Sequence, residues 1–206
     1  VSLVKYNNNS ISAVTSAASM PSGAMTLIKT LTASSSGTLS FVNGSSDVVL
    51  DSTYPIYKFE FINIHPATDD TNLQVGFRDG GTNYDATKTT TFFRAYHEEN
   101  GSAASLAYNA SLDLAQSTAF QPISFESGND ADLGISGTLE LFNPSSTTFV
   151  KHFLVKSNIC TASSQTVNSF IAGYCNTTTA IDAVQFKMSS GNMDSGKIKL
   201  YGIKDS

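Results

Sequence analysis

The side chains in this chain that could do chemistry are three histidines, two short acidic clusters, two cysteines and a few tyrosines in turn-rich stretches. His65, His97 and His152 are far apart, and none belongs to a His-x-x-x-His pair of the kind that presents two imidazoles to one metal. His97 adjoins Glu98 and Glu99, which read equally well as a solvated charged loop, and His152 sits inside an apolar run, where a structural role is expected. Asp69 and Asp70 form one acidic cluster, and Asn129-Asp130-Ala131-Asp132 another. Asp69, Asp70, Asp130 and Asp132 are the candidate Ca²⁺ ligands, because calcium needs several oxygen donors converging from a loop. Neither cluster has EF-hand spacing, and short Asx runs are also ordinary turn chemistry.

Cys160 and Cys175 are too few for a disulfide framework or, alone, a zinc site. They flank one turn-and-strand unit, where they would be either two unpaired thiols or a cross-strand pair in an oxidising compartment. Gly-x-Ser-x-Gly, a phosphate loop and the dinucleotide glycine pattern are all missing from the sequence, and no particular carboxylate pair is singled out for glycoside hydrolysis. The expectation is a protein without catalytic residues. Sugar binding uses exposed aromatics. Trp is absent, so Tyr84, Tyr96 and Tyr108, in or near loops, are the candidate ligand-loop aromatics, while most of the 13 Phe lie on strand faces and read as core.

These residues are carried on a chain of 206, enough for one sizeable domain. Charged residues make up 14%, against about 25% in an average soluble protein, and Ser, Thr, Asn and Gly fill the gap. Such a neutral, Thr-rich surface is common in extracellular and virion β proteins. The net charge is -5 and the basic residues are scattered, so no basic stripe offers itself to a phosphate backbone and nucleic acid is not an expected partner. No apolar run approaches the ~20 residues of a membrane-spanning helix, and no membrane partner is expected.

Residues 1–24 are rich in Ser, Ala and Asn, with an apolar start at Leu3, Val4 and Tyr6. They cannot bury enough surface alone to offset their ordering entropy, so they read as an extended arm that docks on something else. From Met25 onward, short alternating runs are separated by Gly, Asn, Ser and Pro turns. Tyr57, Phe59 and Phe61 share one face of the longest run, with Ile56, Ile62 and Ile64 on the other; apolar residues on both faces predict a central strand. Val48–Leu50 and Phe120–Phe125 also read as strands, the latter an edge strand because of Pro122. Residues 102–116 read as an irregular excursion carrying a strand, with a short helix as the other reading. Leu133–Phe142, Thr148–Val155 and Val167–Tyr174 follow, with Lys151 and His152 interrupting the second. Val184, Phe186 and Met188, then Ile198 and Leu200, alternate with polar residues around a Ser-Ser-Gly-Asn turn and predict a closing hairpin. Ten or eleven short strands without a long helix predict an all-β fold, a jelly-roll-like antiparallel β-sandwich over 25–206 with the extended N-terminal arm at 1–24.

Three stretches, LVKYNNNSISAVTSAAS, TYPIYKFEFINIHPATD and AIDAVQFKMSSGNMDSGKIKLYGI, resemble structural proteins of tailed phages, especially marine ones. The last is similar to the end of many phage β-sandwich domains, which close on an SGxIxLYGI pattern. The resemblance implies a virion component, such as a head decoration, a fibre or a tail appendage. Its partners would be other virion proteins such as the capsid or tail, together with further copies of itself, a trimer being the form usual for such appendages. It implies no catalytic residues and no cofactor. A module binding host-surface glycan or receptor is the alternative.

Overall fold

The computed structural model describes residues 24–205, and within them every regular element is a β-strand. In chain order the strands are β1 Met25–Thr32, β2 Leu39–Val42, β3 Ile56–Pro66, β4 Leu73–Arg78, β5 Lys88–Glu98, β6 Ala104–Tyr108, β7 Gln121–Pro122, β8 Ile135–Phe142, β9 Lys151–Cys160, β10 Gln165–Cys175, β11 Ala183–Met188 and β12 Met193–Ile203. They form two antiparallel sheets, a broad one in the order β1-β12-β3-β8-β9-β10-β5-β6 and a narrow one in the order β2-β11-β4-β7.

The chain alternates between the sheets, and its outermost strands pair first: β1 with β12, β2 with β11, β3 with β8 and β4 with β7. This nesting is a jelly roll, two four-stranded sheets wound from one long folded ribbon. Two hairpin-like insertions, β5–β6 and β9–β10, widen one of its sheets to eight strands. The arm assigned to 1–24, with Leu3, Val4 and Tyr6, lies outside the described residues except for Ala24, whose carbonyl accepts from Lys204 N at 2.9 Å.

The core lies between the sheets and follows the period-two pattern. Tyr57, Phe59 and Phe61 point inward from β3, Leu139 and Leu141 from β8, and Ile198 and Leu200 from β12. Phe41, Phe59 and Phe186 pack with ring centroids 5.3–6.3 Å apart, and Phe77 lies 4.9 Å from Phe153. Burying one such ring stabilises by about 1.5–3 kcal/mol. Strand β3 is central, between β12 and β8.

Four expectations need correction. The closing pair is not a hairpin. β11 lies inside the narrow sheet and β12 inside the broad one, so the 189–192 turn is a corner between sheets. Val48–Leu50 is a loop. Val48 and Leu50 are nonetheless buried, because Gly44 N bonds Val48 O and the Asn43 side chain accepts from Leu50 N at 2.9 Å. Of Phe120–Phe125 only Gln121–Pro122 pairs, at the edge of the narrow sheet as Pro122 requires. Ile64 faces the core, not the side shared by Ile56 and Ile62, because β3 bulges between Phe61 and Ile64 with Asn63 at φ 49°. The segment 102–116 does carry a strand, β6.

Candidate functional site

The inserted strands create a feature the basic jelly roll lacks: a wide outer sheet face that none of the described residues covers. Across it, register places Thr138 of β8, Lys156 of β9, Phe170 of β10, Phe93 of β5 and Tyr108 of β6 side by side in one row. Phe93 and Phe170 are stacked, with centroids 5.0 Å apart and planes 11° from parallel. The Lys156 ammonium lies 5.7 Å from the Phe170 ring, and the Tyr108 hydroxyl donates to Asp113. That hydrogen bond holds the phenol proton and raises the Tyr108 pKa.

Two residues along the strands, Glu140, Leu154, Ala172 and Thr91 form the next row. Ala172 is small, so a shallow groove of about 350 Å³ opens beside the aromatic stack, walled by Phe93 and Phe170 and bounded by Leu154, Glu140, Thr138 and Lys156. A second depression follows on the far side of Leu154, lined by His152, Tyr174, Thr89 and Thr91. Phe93, Leu154 and Tyr108 are 40%, 50% and 55% exposed, so the two rows together form a surface apolar patch rather than core. Asn158 and Asn168 lie on one side of it, and the Lys58–Glu60 ion pair, 3.3 Å, lies beyond its β8 end. Chemically the arrangement can stack and hydrogen-bond.

Of the three tyrosines expected to meet a ligand, only Tyr108 belongs to this face. Tyr96 lies on the inner side of β5, packed against the core, with Arg94 beside it and over the Phe125 ring. Tyr84 packs beside Arg78 and Phe120. Phe93 and Phe170, not singled out from the Phe residues that mostly read as core, are the residues that sequence reasoning missed. The signal was the pair Phe92-Phe93, since in a strand two consecutive rings must point to opposite faces.

The two acidic clusters do meet. Asn129 N donates to the Asp69 carboxylate at 3.2 Å, Asn129 Nδ2 to Ala67 O at 3.3 Å, and His65 Nε2 lies 3.1 Å from Asp130 O. Asp69, Asp70, Asp130 and Asp132 are all exposed, and among the described residues no three His, Cys, Asp or Glu side chains are grouped to hold a metal ion. A polar cleft of about 440 Å³ adjoins this corner, lined in part by His65, Asp132, Asn158 and Ser195. His152 is exposed on the outer face, not a buried structural histidine, with its ring 6.0 Å from Tyr174.

Cys160 and Cys175 are both free thiols at opposite ends of the β9–β10 pair, opposite Thr166 and Lys151 respectively. Lys151 does not interrupt its strand but belongs to its buried face. It forms an inward row with Cys175 and Lys88, all three sealed from solvent. The Lys151 ammonium donates to Thr177 O at 3.1 Å and Thr179 O at 2.7 Å, and that of Lys88 to Ala86 O at 2.6 Å. Burial lowers both lysine pKa values and pushes the Cys175 thiol up to about 12. A thiol held protonated in this way is a poor nucleophile.

Comparison of the chain with protein-family models, curated proteins and solved structures gave no match in any of the three.

Proposed function

We propose that this chain is a non-enzymatic structural protein of a phage virion, carried on the particle as a head decoration, fibre or tail appendage and anchored by its N-terminal arm. The observation that carries the reading is the jelly roll with one sheet widened to eight strands and its outer face left uncovered by the other described residues. Jelly rolls recur in viral capsid proteins and lectins, which supports an assembly or display role by analogy of fold. The three stretches that resemble tailed-phage structural proteins give the reading its biological setting. Anchoring is assigned to residues 1–24 because Leu3, Val4 and Tyr6 supply apolar contacts in an otherwise polar stretch. Particles assembled with the chain lacking residues 1–24 test it: the truncated protein should be lost from them, and full occupancy would overturn the anchoring role.

The row of Phe170, Phe93 and Tyr108 favours a second reading, a module that binds host-surface glycan or receptor. Rings flanked by Asn, Thr, Lys and Glu offer stacking and hydrogen bonds together, as sugar recognition requires. A glycan array probed with the full chain, with and without a chelator, tests this reading and any role for Ca²⁺. No binding to any glycan or to host cells would remove it.

A further inference from the structure

A β-sandwich has sheet edges, and proteins protect such edges against pairing with other chains by shortening the strand, bulging it, or placing Pro or Lys on it. Three of the four edges here carry such devices. β2 has four residues, β7 has two and includes Pro122, and β1 has a bulge between Leu27 and Lys29 with the lysine at that point. β6, the remaining edge of the broad sheet, has none of them. Its five residues, Ala-Ser-Leu-Ala-Tyr, carry no charge, proline or bulge, and all five are exposed, Leu106 by 69%.

The hydrogen-bond alternation shows which main-chain groups of β6 are unused among the described residues. Asn109 N donates to Phe92 O at 2.8 Å and Glu98 N to Ala103 O at 2.9 Å, one pair at each end of the β5–β6 ladder. In an antiparallel pair, hydrogen-bonded and non-bonded positions alternate, so Ser105 and Ala107 turn their N–H and C=O groups toward β5. Ala104, Leu106 and Tyr108 turn theirs outward. These three positions are symmetric about Leu106. A two-fold axis beside Leu106 therefore sets Leu106 opposite its own copy and Ala104 opposite Tyr108 of the other copy, with both bonds made in all three pairs. On the outer face the two Leu106 side chains meet, and each Tyr108 lies beside the other copy's Ala104. No like charges meet within the paired strands.

We propose that β6 is a self-association edge, through which two copies of this chain join their broad sheets antiparallel about Leu106. Such an edge closes on itself as a dimer, not as the trimer expected from the resemblance. It also joins the two aromatic faces into one surface.

Sedimentation of the full chain over a concentration series tests the proposal. A reversible dimer is expected. Leu106→Pro removes a single outward N–H while every bond to β5 stays, and Leu106→Lys adds the edge charge that β6 lacks. Each should weaken association by at least about tenfold in Kd with the circular dichroism unchanged. In a Cys160→Ser background, Leu106→Cys should form an intermolecular disulfide on mild oxidation. Ala104→Cys should not, because the two copies of residue 104 lie beyond the ~7 Å Cα separation a disulfide spans. A monomer at every concentration, a trimer, association insensitive to both Leu106 variants, or equal cross-linking at 104 and 106 would each overturn the proposal.

Discussion

Cys175 and Lys151 face each other across β10 and β9 on the inner side of the broad sheet, both sealed from solvent, and Lys88 of β5 completes the row. An apolar sandwich that encloses two ammonium groups and a thiol stores a pH dependence in its core. Burial holds the Cys175 proton from an ordinary 9.0 up to about 12. Between these values the unfolded chain has lost the thiol proton while the folded chain keeps it, so stability falls as pH rises through the window. The full effect is on the order of 4 kcal/mol. Urea midpoints of the wild type and Cys175→Ala, followed from neutral pH to about pH 11, should converge above pH 9, because only the wild type suffers the loss. Parallel curves would show that the thiol titrates alike in both states.

Lys88 has the opposite sign. Its pKa is lowered by burial, and its ammonium donates to Ala86 O. At neutral pH the group is charged in the unfolded chain and costly to hold charged in the fold, a cost relieved as pH rises from the lowered pKa toward the ordinary 10.5. Replacing a buried charge by an apolar side chain of similar volume often stabilises, by about 1–4 kcal/mol. Lys88→Met should therefore raise the thermal midpoint at pH 7, with the gain shrinking at alkaline pH. A lower midpoint at pH 7 would mean that Asp79 and Asp85, which favour the charge, outweigh its burial.

Much of the architecture is legible in the alternation of single strands, and much of the rest lies in pairing, which alternation does not encode. Tyr57, Phe59 and Phe61 mark a buried face, and Pro122 marks an edge, because both signals are local. The 189–192 turn looks the same whether the chain reverses beside itself or crosses to the other sheet; only the partners of Phe186 and Ile198, Val75 and Phe61, distinguish the two. Phe93 was hidden in a run where both faces carry a ring. Lys88 and Lys151 were hidden because lysine reads as surface, and their burial is decided by the row they share with Cys175. The apolar row itself spans four inserted strands separated in sequence, so no spacing within one segment announces it.

The bulges of β3 and β12 face each other. Asn63 at φ 49° lies against Gly196 at φ 108°, and Ser136 Oγ accepts from Asn63 N at 3.1 Å and donates to Asn63 Oδ1 at 3.2 Å. A Cβ on residue 196 would run into the Asn63 carbonyl oxygen and Ile64 Cα, both backbone, in a conformation L-residues rarely adopt. Gly196→Ala should cost about 2 kcal/mol or more in urea unfolding. Ser136→Ala, which removes both bonds to Asn63, should cost about 1 kcal/mol. If Gly196→Ala costs no more than Ser136→Ala, the two bulges are not locked against each other.

The aromatic row can be separated from the fold that carries it. Phe93 and Leu154 are about half exposed, and their loss leaves the inward residues Phe92, Phe153 and Val155 in place. An exposed aromatic pair contributes on the order of 1 kcal/mol. The double variant Phe93→Ser, Leu154→Ser should therefore unfold within about 1–2 kcal/mol of the wild type. If the outer face is the contact surface, the same variant should lose glycan or host-cell binding, while Tyr84→Ser, on a different part of the molecule, keeps it. Equal binding by both variants would place recognition elsewhere, with the polar cleft lined by His65 and Asp132 the next surface to substitute.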